Sequence, residues 1–176
     1  MDATSFSVAV PRRIVPRSVR YLEDFTAGQK FGGPERVRVD AARIKSFAAE
    51  FDPQAFHLDD AVARASIFRG LAASGWHTAA MTMRLLVASD LQPAGGIVGA
   101  GFDEFRWPTP VRPGDELRVE SEVLEVRPSK SRPDIGIVKV RTTTLNQNDQ
   151  PVQVSVGNLM VPRRAAPGQR AETFVP

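Results

Sequence analysis

Two side chains able to perform acid–base chemistry lie close together in the segment AAEFDPQAFHLDD, residues 48–60. Asp52 is followed five residues later by His57, one of only two histidines in the chain. Pro53 fixes its own φ angle and biases the residue before it away from the helical region, so a helix should end at Asp52. On such a bent connection, a carboxylate and an imidazole can both reach one water molecule. Acid–base assistance of this kind contributes about 10²–10⁴-fold to a rate.

A second motif, Ser74-Gly75-Trp76, opens the segment SGWHTAAMTMRLLVASD at residues 74–90. Ser74 is a natural N-cap, and the first turn of a helix offers unpaired N–H groups with a partial positive charge. Gly75 has no Cβ, so a ligand oxygen can approach its backbone. Ser74 could also orient a substrate, although its role as a cap is the simpler interpretation.

The elements that must position these residues are helical in the first half of the chain. Residues 39–51 predict a helix capped by Asp40, and a second, short helix can begin at Asp59 or Asp60. The segment 74–90 predicts a longer helix that is apolar on nearly every side. A helix of this composition is expected to be buried on all sides, which requires other structure to wrap around it.

The second half of the chain predicts that wrapping. Leu117, Val119 and Val123 alternate with charged residues, which indicates a strand with one buried face, and an earlier strand is expected within residues 31–39. The four strand-like runs are residues 96–107, 116–126, 134–146 and 151–161. The predicted fold class is therefore α+β, with a curved antiparallel meander wrapped around one long central helix.

Composition narrows the function classes. The chain has 176 residues, no cysteine and two histidines, which disfavours thiolate chemistry and a metal centre, and no cofactor is expected. No apolar run reaches the roughly 20 residues of a membrane-spanning helix, and a cytoplasmic protein is expected. Four arginines fall in residues 1–20 and three in 163–176, so the positive charge is concentrated at the ends and does not predict nucleic-acid binding. We expect a basic arm at 1–20, a single domain at 21–163 and a tail at 164–176.

The element order, together with DPQAFH, SGWHTAAM and VRPGDELRVESEVLEVRPS, resembles the MaoC-like hydratases and dehydratases of the hot-dog fold over about residues 20–163. The resemblance implies (R)-specific hydration of enoyl-CoA, or the reverse dehydration, by a homodimer. It implies that Asp52 and His57 act on one water and that the Gly75 N–H binds the thioester oxygen. In this chain Pro53 follows the aspartate at once and Gln54 stands where the family has asparagine, which makes Gln54 a candidate substrate contact as well as a loop hydrogen-bond donor.

Several alternatives stay open at this level. A hot-dog thioesterase would usually take a carboxylate from the central helix, which here has none before Asp90. A non-catalytic acyl-CoA-binding module is the third possibility, and the acyl carrier could be coenzyme A or a carrier protein. Which of the two candidate residues takes the water proton is undecided. Outside the site, we expect His77 to bond a carbonyl within the core. Phe105 and Trp107 are expected to be core residues in preference to walls of an acyl pocket, although one role does not exclude the other. Arg106 and Arg112 are expected to be solvated or to contact phosphates.

Overall fold

The computed structural model describes residues 19–164, so most of the predicted arm and nearly all of the tail lie outside the described range. An antiparallel sheet has the strand order β1-β4-β5-β6-β3, and β2 also pairs with β4. The strands are β1 (Lys30–Phe31), β2 (Val37–Arg38), β3 (Val98–Arg106), β4 (Glu116–Pro128), β5 (Ile135–Leu145) and β6 (Pro151–Pro162). The helices are α1 (Ala41–Phe51), α2 (Ala55–Leu58), α3 (Asp60–Ala65) and α4 (Gly75–Ala88).

The alternation of apolar and charged residues that the sequence predicts from Leu117 to Val123 is confirmed in β4. Leu117, Val119 and Val123 of β4 are buried, whereas Glu116 and Glu120 are exposed. Side chains on successive strand residues point to opposite faces of a sheet, so this pattern gives β4 one core face and one outer face.

The order of strands differs from a simple meander. Strands β4, β5 and β6 follow one another, but β3 pairs with β6 and lies at the opposite edge from β1. The connection 107–115 contains three prolines and is too long for a tight hairpin, so it carries the chain across to the far side of the sheet. The strand expected within 31–39 is two short strands, β1 and β2, separated by a segment containing Gly32, Gly33 and Pro34, which disfavour strand structure.

Helix α4 lies against the sheet with one face in the core. Met81 and Leu85 are buried there, and burial of such a side chain contributes about 1.5–3 kcal/mol. The hydroxyl groups of Thr82 and Thr144 share a 2.7 Å hydrogen bond that joins the helix to β5.

The expectation that α4 is buried on every side is wrong within this chain. Trp76 is 63% exposed, and Met83 and Val87 are exposed on the same face. These residues recur at intervals of seven and four, which is one stripe of a helix. The sheet covers one side of α4, and no described element covers the stripe.

None of the helices in residues 19–164 is long and apolar enough to cross a membrane.

Candidate active site

Asp52 lies where the first helix ends. The Asp40 side chain caps α1 by accepting a 2.8 Å hydrogen bond from the Arg43 N–H, as predicted. Asp52 follows the last helical residue with φ −151° and ψ 68°, so the chain turns away before Pro53, also as predicted. The carboxylate therefore projects from a bend and does not follow a helix face.

Two neutral donors hold the Asp52 carboxylate. Ser74 Oγ donates to Oδ2 at 2.6 Å, and Gln54 Nε2 donates to Oδ1 at 2.7 Å. The Ser74 hydrogen bond is the largest influence on the pKa of Asp52 and, with smaller contributions from Gln54 and His57, lowers it against the opposing effect of burial. The side chain keeps 16% of its surface exposed, so an anionic carboxylate is reachable from one side.

His57 lies on the short helix α2 and is 4% exposed. Its Nδ1 is 2.8 Å from the carbonyl oxygen of Ala72. Because a carbonyl can only accept, Nδ1 must carry the hydrogen, and the neutral imidazole then has a lone pair on Nε2. That Nε2 lies 3.6 Å from Asp52 Oδ2, which is too long for a direct hydrogen bond. Two proton acceptors thus face each other across a short gap.

The loop segment just before Ala72 is bound by an arginine whose role the sequence did not reveal. Arg112 donates to the carbonyls of Gly70 at 2.7 Å and Leu71 at 3.1 Å, and also to that of Phe68. Arg112 therefore supports the loop before α4 and is not the solvated or phosphate-binding residue that was expected. Arg106 is exposed and pairs with Glu104.

Ser74 combines both roles considered for it. It accepts a 3.2 Å hydrogen bond from the Trp76 N–H as the N-cap of α4, and it donates to Asp52. For the Gly75 N–H, no acceptor is recorded within residues 19–164. A cap and an unpaired N–H therefore lie directly beside the carboxylate.

The absence of a side chain at Gly75 has a packing reason. A Cβ added there would lie 2.8 Å from two carbons of the Trp107 indole. Trp107 is held over the glycine by its Nε1, which donates to Gln153 Oε1 at 3.0 Å. The sequence analysis attributed the missing Cβ of Gly75 to the approach of a ligand. The Trp107 indole occupies the position that this Cβ would take. Gln153 is a site neighbour that the sequence did not single out, and Trp107 was expected in the core and not over Gly75.

A family model described as MaoC like domain matches residues 24–146. The chain belongs to the MaoC-like domain family. The matched range contains Asp52, His57 and Gly75, together with the loop that positions the imidazole. The hot-dog fold implied by the sequence resemblance is confirmed by the similarity to solved structures of MaoC-like and (R)-hydratase proteins.

Among solved structures, the MaoC-like dehydratase from Rhodospirillum rubrum is 58% identical, with a TM-score of 0.79 over 84% of this chain and 99% of that chain. The (R)-hydratase from A. caviae involved in PHA biosynthesis is 26% identical, with a TM-score of 0.57 over 81% of this chain and 99% of that chain.

Two curated relatives also match this MaoC-like chain. The uncharacterized protein YdeM of Bacillus subtilis is 35% identical over 140 residues, 80% of this chain and 96% of its own length. Mesaconyl-CoA hydratase of Cereibacter sphaeroides is 42% identical over 73 residues, which are 40% of this chain and 21% of the relative.

An aromatic cluster flanks the site of the MaoC-like domain. Phe102 and Phe105 of β3 pack edge to face, and Trp107 contacts both Phe105 and Trp76. Phe102 is 60% exposed, Trp107 is 40% exposed and Phe105 is half-buried. The prediction that Phe105 and Trp107 belong to the core is therefore wrong within one chain, because they lie on the edge strand and the connection that follows it.

The second histidine also differs from its prediction. His77 is buried, but its Nδ1 has no hydrogen-bond partner in the part of the chain that the structure describes. Its ring is stacked on Phe47 with the centroids 4.6 Å apart. Burial, and to a lesser degree the nearby charge of Arg43, lowers the pKa of His77.

Proposed function

We propose that this protein adds water to trans-2-enoyl-CoA to form (R)-3-hydroxyacyl-CoA, or catalyses the reverse dehydration. The observation that carries the proposal is the 3.6 Å separation of Asp52 Oδ2 and His57 Nε2, two acceptors facing one gap. A water molecule has two hydrogens to donate, and one can go to each atom. Its oxygen lone pair then points away from both, toward a substrate lying over the gap.

The hydrogen bonds of the two side chains decide which one we assign as proton acceptor. Ser74 and Gln54 both donate to Asp52 and lower its pKa, which makes that carboxylate less basic than an ordinary one. His57 Nε2 keeps its lone pair, because Nδ1 carries the hydrogen donated to the Ala72 carbonyl. We therefore assign Asp52 to orient the water and to stabilise the imidazolium, and His57 Nε2 to take the proton.

The proposed step balances without a cofactor. The water oxygen bonds to the β-carbon as His57 takes one of its protons, and the π electrons move to the thioester oxygen. The electrons then return, and the α-carbon receives the proton from His57. The negative charge on the thioester oxygen needs a donor, and the unpaired Gly75 N–H at the start of α4 is the group we assign to it. A donor of this kind is worth about 10²–10³-fold in rate.

The test is turnover of a panel of trans-2-enoyl-CoA thioesters, followed by loss of the absorbance of the conjugated thioester. The protein should hydrate members of the panel, and Asp52→Asn should lower kcat/KM by about 10²-fold or more while the thermal unfolding midpoint stays close to the parent's. The chiral product should be the (R)-alcohol. Wild-type rates in Asp52→Asn and His57→Ala would refute the assignment.

Two alternatives make different predictions in the same assay. A thioesterase would release free coenzyme A from saturated acyl-CoA, but α4 carries no acidic residue from Gly75 to Ala88, and Asp90 beyond it accepts from the Gly32 N–H at 2.7 Å. A non-catalytic module would bind acyl-CoA tightly and turn over no member of the panel. A carrier-protein thioester as substrate would appear as a higher kcat/KM than that of the matching CoA thioester.

We also propose that two copies associate through the edge strand β3. Most of its residues are exposed, and the exposed stripe of α4, which includes Trp76, lies beside its aromatic side chains. An open strand edge with apolar side chains favours pairing with another chain. Sedimentation should show a dimer at micromolar concentration, and Phe102→Asp should shift it toward monomer. A monomeric wild type would exclude this assembly.

A further inference from the structure

A groove between α1 and α4 starts beside the catalytic pair. It consists of two adjoining hollows of about 200 Å³ and 210 Å³, which share Arg43, Phe47 and His77 in their walls. We call the two together the α1–α4 groove. Nothing in the hydration mechanism uses it, yet its walls combine apolar surface with positive charge.

The groove begins next to the residues that hold the site. Phe51, in the wall of the second hollow, directly precedes Asp52. His77 follows Ser74 by three residues, which places it on the same face of α4 one turn further along. Because a helix rises about 1.5 Å per residue, Arg84 lies about 15 Å further along α4 than Ser74.

The floor of the first hollow suits methylene groups. Val39 and Met81 are buried there, and Phe47 is half-buried against the His77 ring. Such side chains contribute to binding by removing apolar ligand surface from water.

The rim of the first hollow carries three arginines, Arg38, Arg43 and Arg84. No ion pair is recorded for any of them among residues 19–164, whereas Arg118 and Arg141 on the sheet each pair with a carboxylate. The only acidic residue of the groove walls is Glu50, which lines the second hollow and is absent from the first. Arg38 and Arg84 line only the first hollow, so positive charge extends from the shared wall at Arg43 to the end of the groove that is remote from Asp52.

His77 supplies an observation independent of the arginines. It is 7% exposed, it belongs to the walls of both hollows, and its Nδ1 is the one buried side-chain polar atom in residues 19–164 without a hydrogen-bond partner. Buried polar atoms in folded proteins are nearly always bonded, so an exception calls for an explanation. Since the His77 ring forms part of the groove wall, a small rotation of the ring would let an anionic oxygen in the groove accept a hydrogen bond from its N–H.

We propose that the α1–α4 groove binds the acyl chain and that Arg38, Arg43, Arg84 and His77 bind a carboxylate at its far end. The inference rests on the proposed hydration and narrows its substrate class to enoyl-CoA thioesters that carry a second, remote carboxylate. A guanidinium binds a carboxylate through charge-assisted and often bidentate hydrogen bonds, whereas a methyl terminus would leave three cations without a counter-charge.

Matched substrate pairs test the proposal in turnover. Trans-2-hexenedioyl-CoA and trans-2-hexenoyl-CoA differ only in a terminal carboxylate or methyl group. The corresponding eight-carbon pair places the terminal group further along the groove. We expect the wild type to prefer the carboxylated member by about tenfold or more in kcat/KM at one chain length. Arg43→Gln and Arg84→Gln should each remove most of that preference by raising KM, with little change in kcat. Arg64→Gln, on an exposed arginine of α3 outside the groove, is the matched control and should keep the preference.

Two results in turnover would overturn the inference. An equal loss on both members of a pair would show that the arginines contact the coenzyme A phosphates, which the members share. A wild-type preference for the methyl-terminated member at both chain lengths would show that the groove is an apolar chain site.

A binding experiment separates this inference from the proposed hydration. Asp52→Asn is titrated calorimetrically with adipoyl-CoA and hexanoyl-CoA, which have no double bond to hydrate. Tighter binding of adipoyl-CoA, lost on adding Arg43→Gln, supports the carboxylate site even if no enoyl-CoA is turned over, in which case the hydration alone fails. Equal affinity of the two ligands overturns the carboxylate site whatever the turnover assay shows.

Discussion

The two histidines of this chain are both buried, yet their surroundings have opposite consequences. His57 Nδ1 donates to the Ala72 carbonyl, so its orientation and tautomer are set and Nε2 faces Asp52. His77 lies one turn along α4 from the cap that holds Asp52, but its Nδ1 is unbonded and its ring is stacked on Phe47. The orientation of the first ring is fixed by its hydrogen bond, whereas Nδ1 of the second ring has no partner among residues 19–164.

The difference teaches that burial alone does not assign a role to a histidine. A bond from one ring nitrogen to a carbonyl fixes which nitrogen can exchange a proton. An unsatisfied ring nitrogen costs stability in the free protein, and a ligand that bonds it recovers that cost. We therefore propose a catalytic role for the region of His57 and a binding role for the region of His77.

The largest expected effect is that of His57→Ala. Loss of the proposed proton acceptor should lower kcat on any accepted enoyl-CoA by about 10²–10⁴-fold. The circular dichroism spectrum should match that of the parent, since a well-folded but inactive variant is the informative result. His77→Leu should instead act mainly on the KM of carboxylated substrates, and a fall in kcat for His77→Leu as large as that for His57→Ala would erase the distinction between the two rings.

The next effect concerns the donors on Asp52. Because the Ser74 hydrogen bond is the main cause of the lowered pKa of Asp52, Ser74→Ala should raise that pKa. Gln54→Ala should raise it by less, since Gln54 is the lesser donor. The measurement is the pH titration of the Asp52 carboxyl group, followed by carbon NMR in the three proteins. A larger shift in Gln54→Ala than in Ser74→Ala would contradict this description of the carboxylate.

A smaller effect is expected where the two regions meet, at Gly75. Gly75→Ala places a Cβ against the Trp107 indole and should cost about 1–3 kcal/mol of unfolding free energy through overpacking. Urea denaturation measures the loss. The double variant Gly75→Ala/Trp107→Leu should recover part of it, because the smaller side chain relieves the contact. Equal stability of Gly75→Ala and the parent would mean that the indole moves aside freely.

The smallest effect is the pH dependence of stability that His77 contributes. Its pKa is lowered in the folded protein by burial and by Arg43, with Asp40 acting in the opposite direction. The unfolded chain therefore binds more protons, and the stability of the wild type relative to His77→Leu should increase as the pH rises from the lowered pKa to the unfolded value of about 6.5. Thermal unfolding of the two proteins across that pH range measures the effect. A difference in unfolding midpoint that stays constant with pH would exclude it.

The helices of the site were accessible from the residues themselves. Asp40 and Ser74 are capping residues followed by suitable helical segments, and Pro53 marks the end of the first helix, so local stereochemistry specified these boundaries. Local preferences could not place β3 beside β6, because strand pairing depends on contacts between residues that are distant in the chain. They also could not show that one face of α4 stays exposed. The spacing of apolar residues along a helix is the same whether a sheet, a second chain or no described element covers that face.

The amino-acid sequence by itself determined the α+β class, the closeness of the titratable residues Asp52 and His57 along the chain, and the capping of α4 by Ser74. These follow from side-chain types and from backbone preferences that act over a few residues. Only the tertiary structure decided that Arg112 binds the loop before Ala72, that Trp107 lies over Gly75, and that Arg38 and Arg43 share a groove with His77. Those relations join residues more than 30 positions apart, and packing of the whole domain sets their distances.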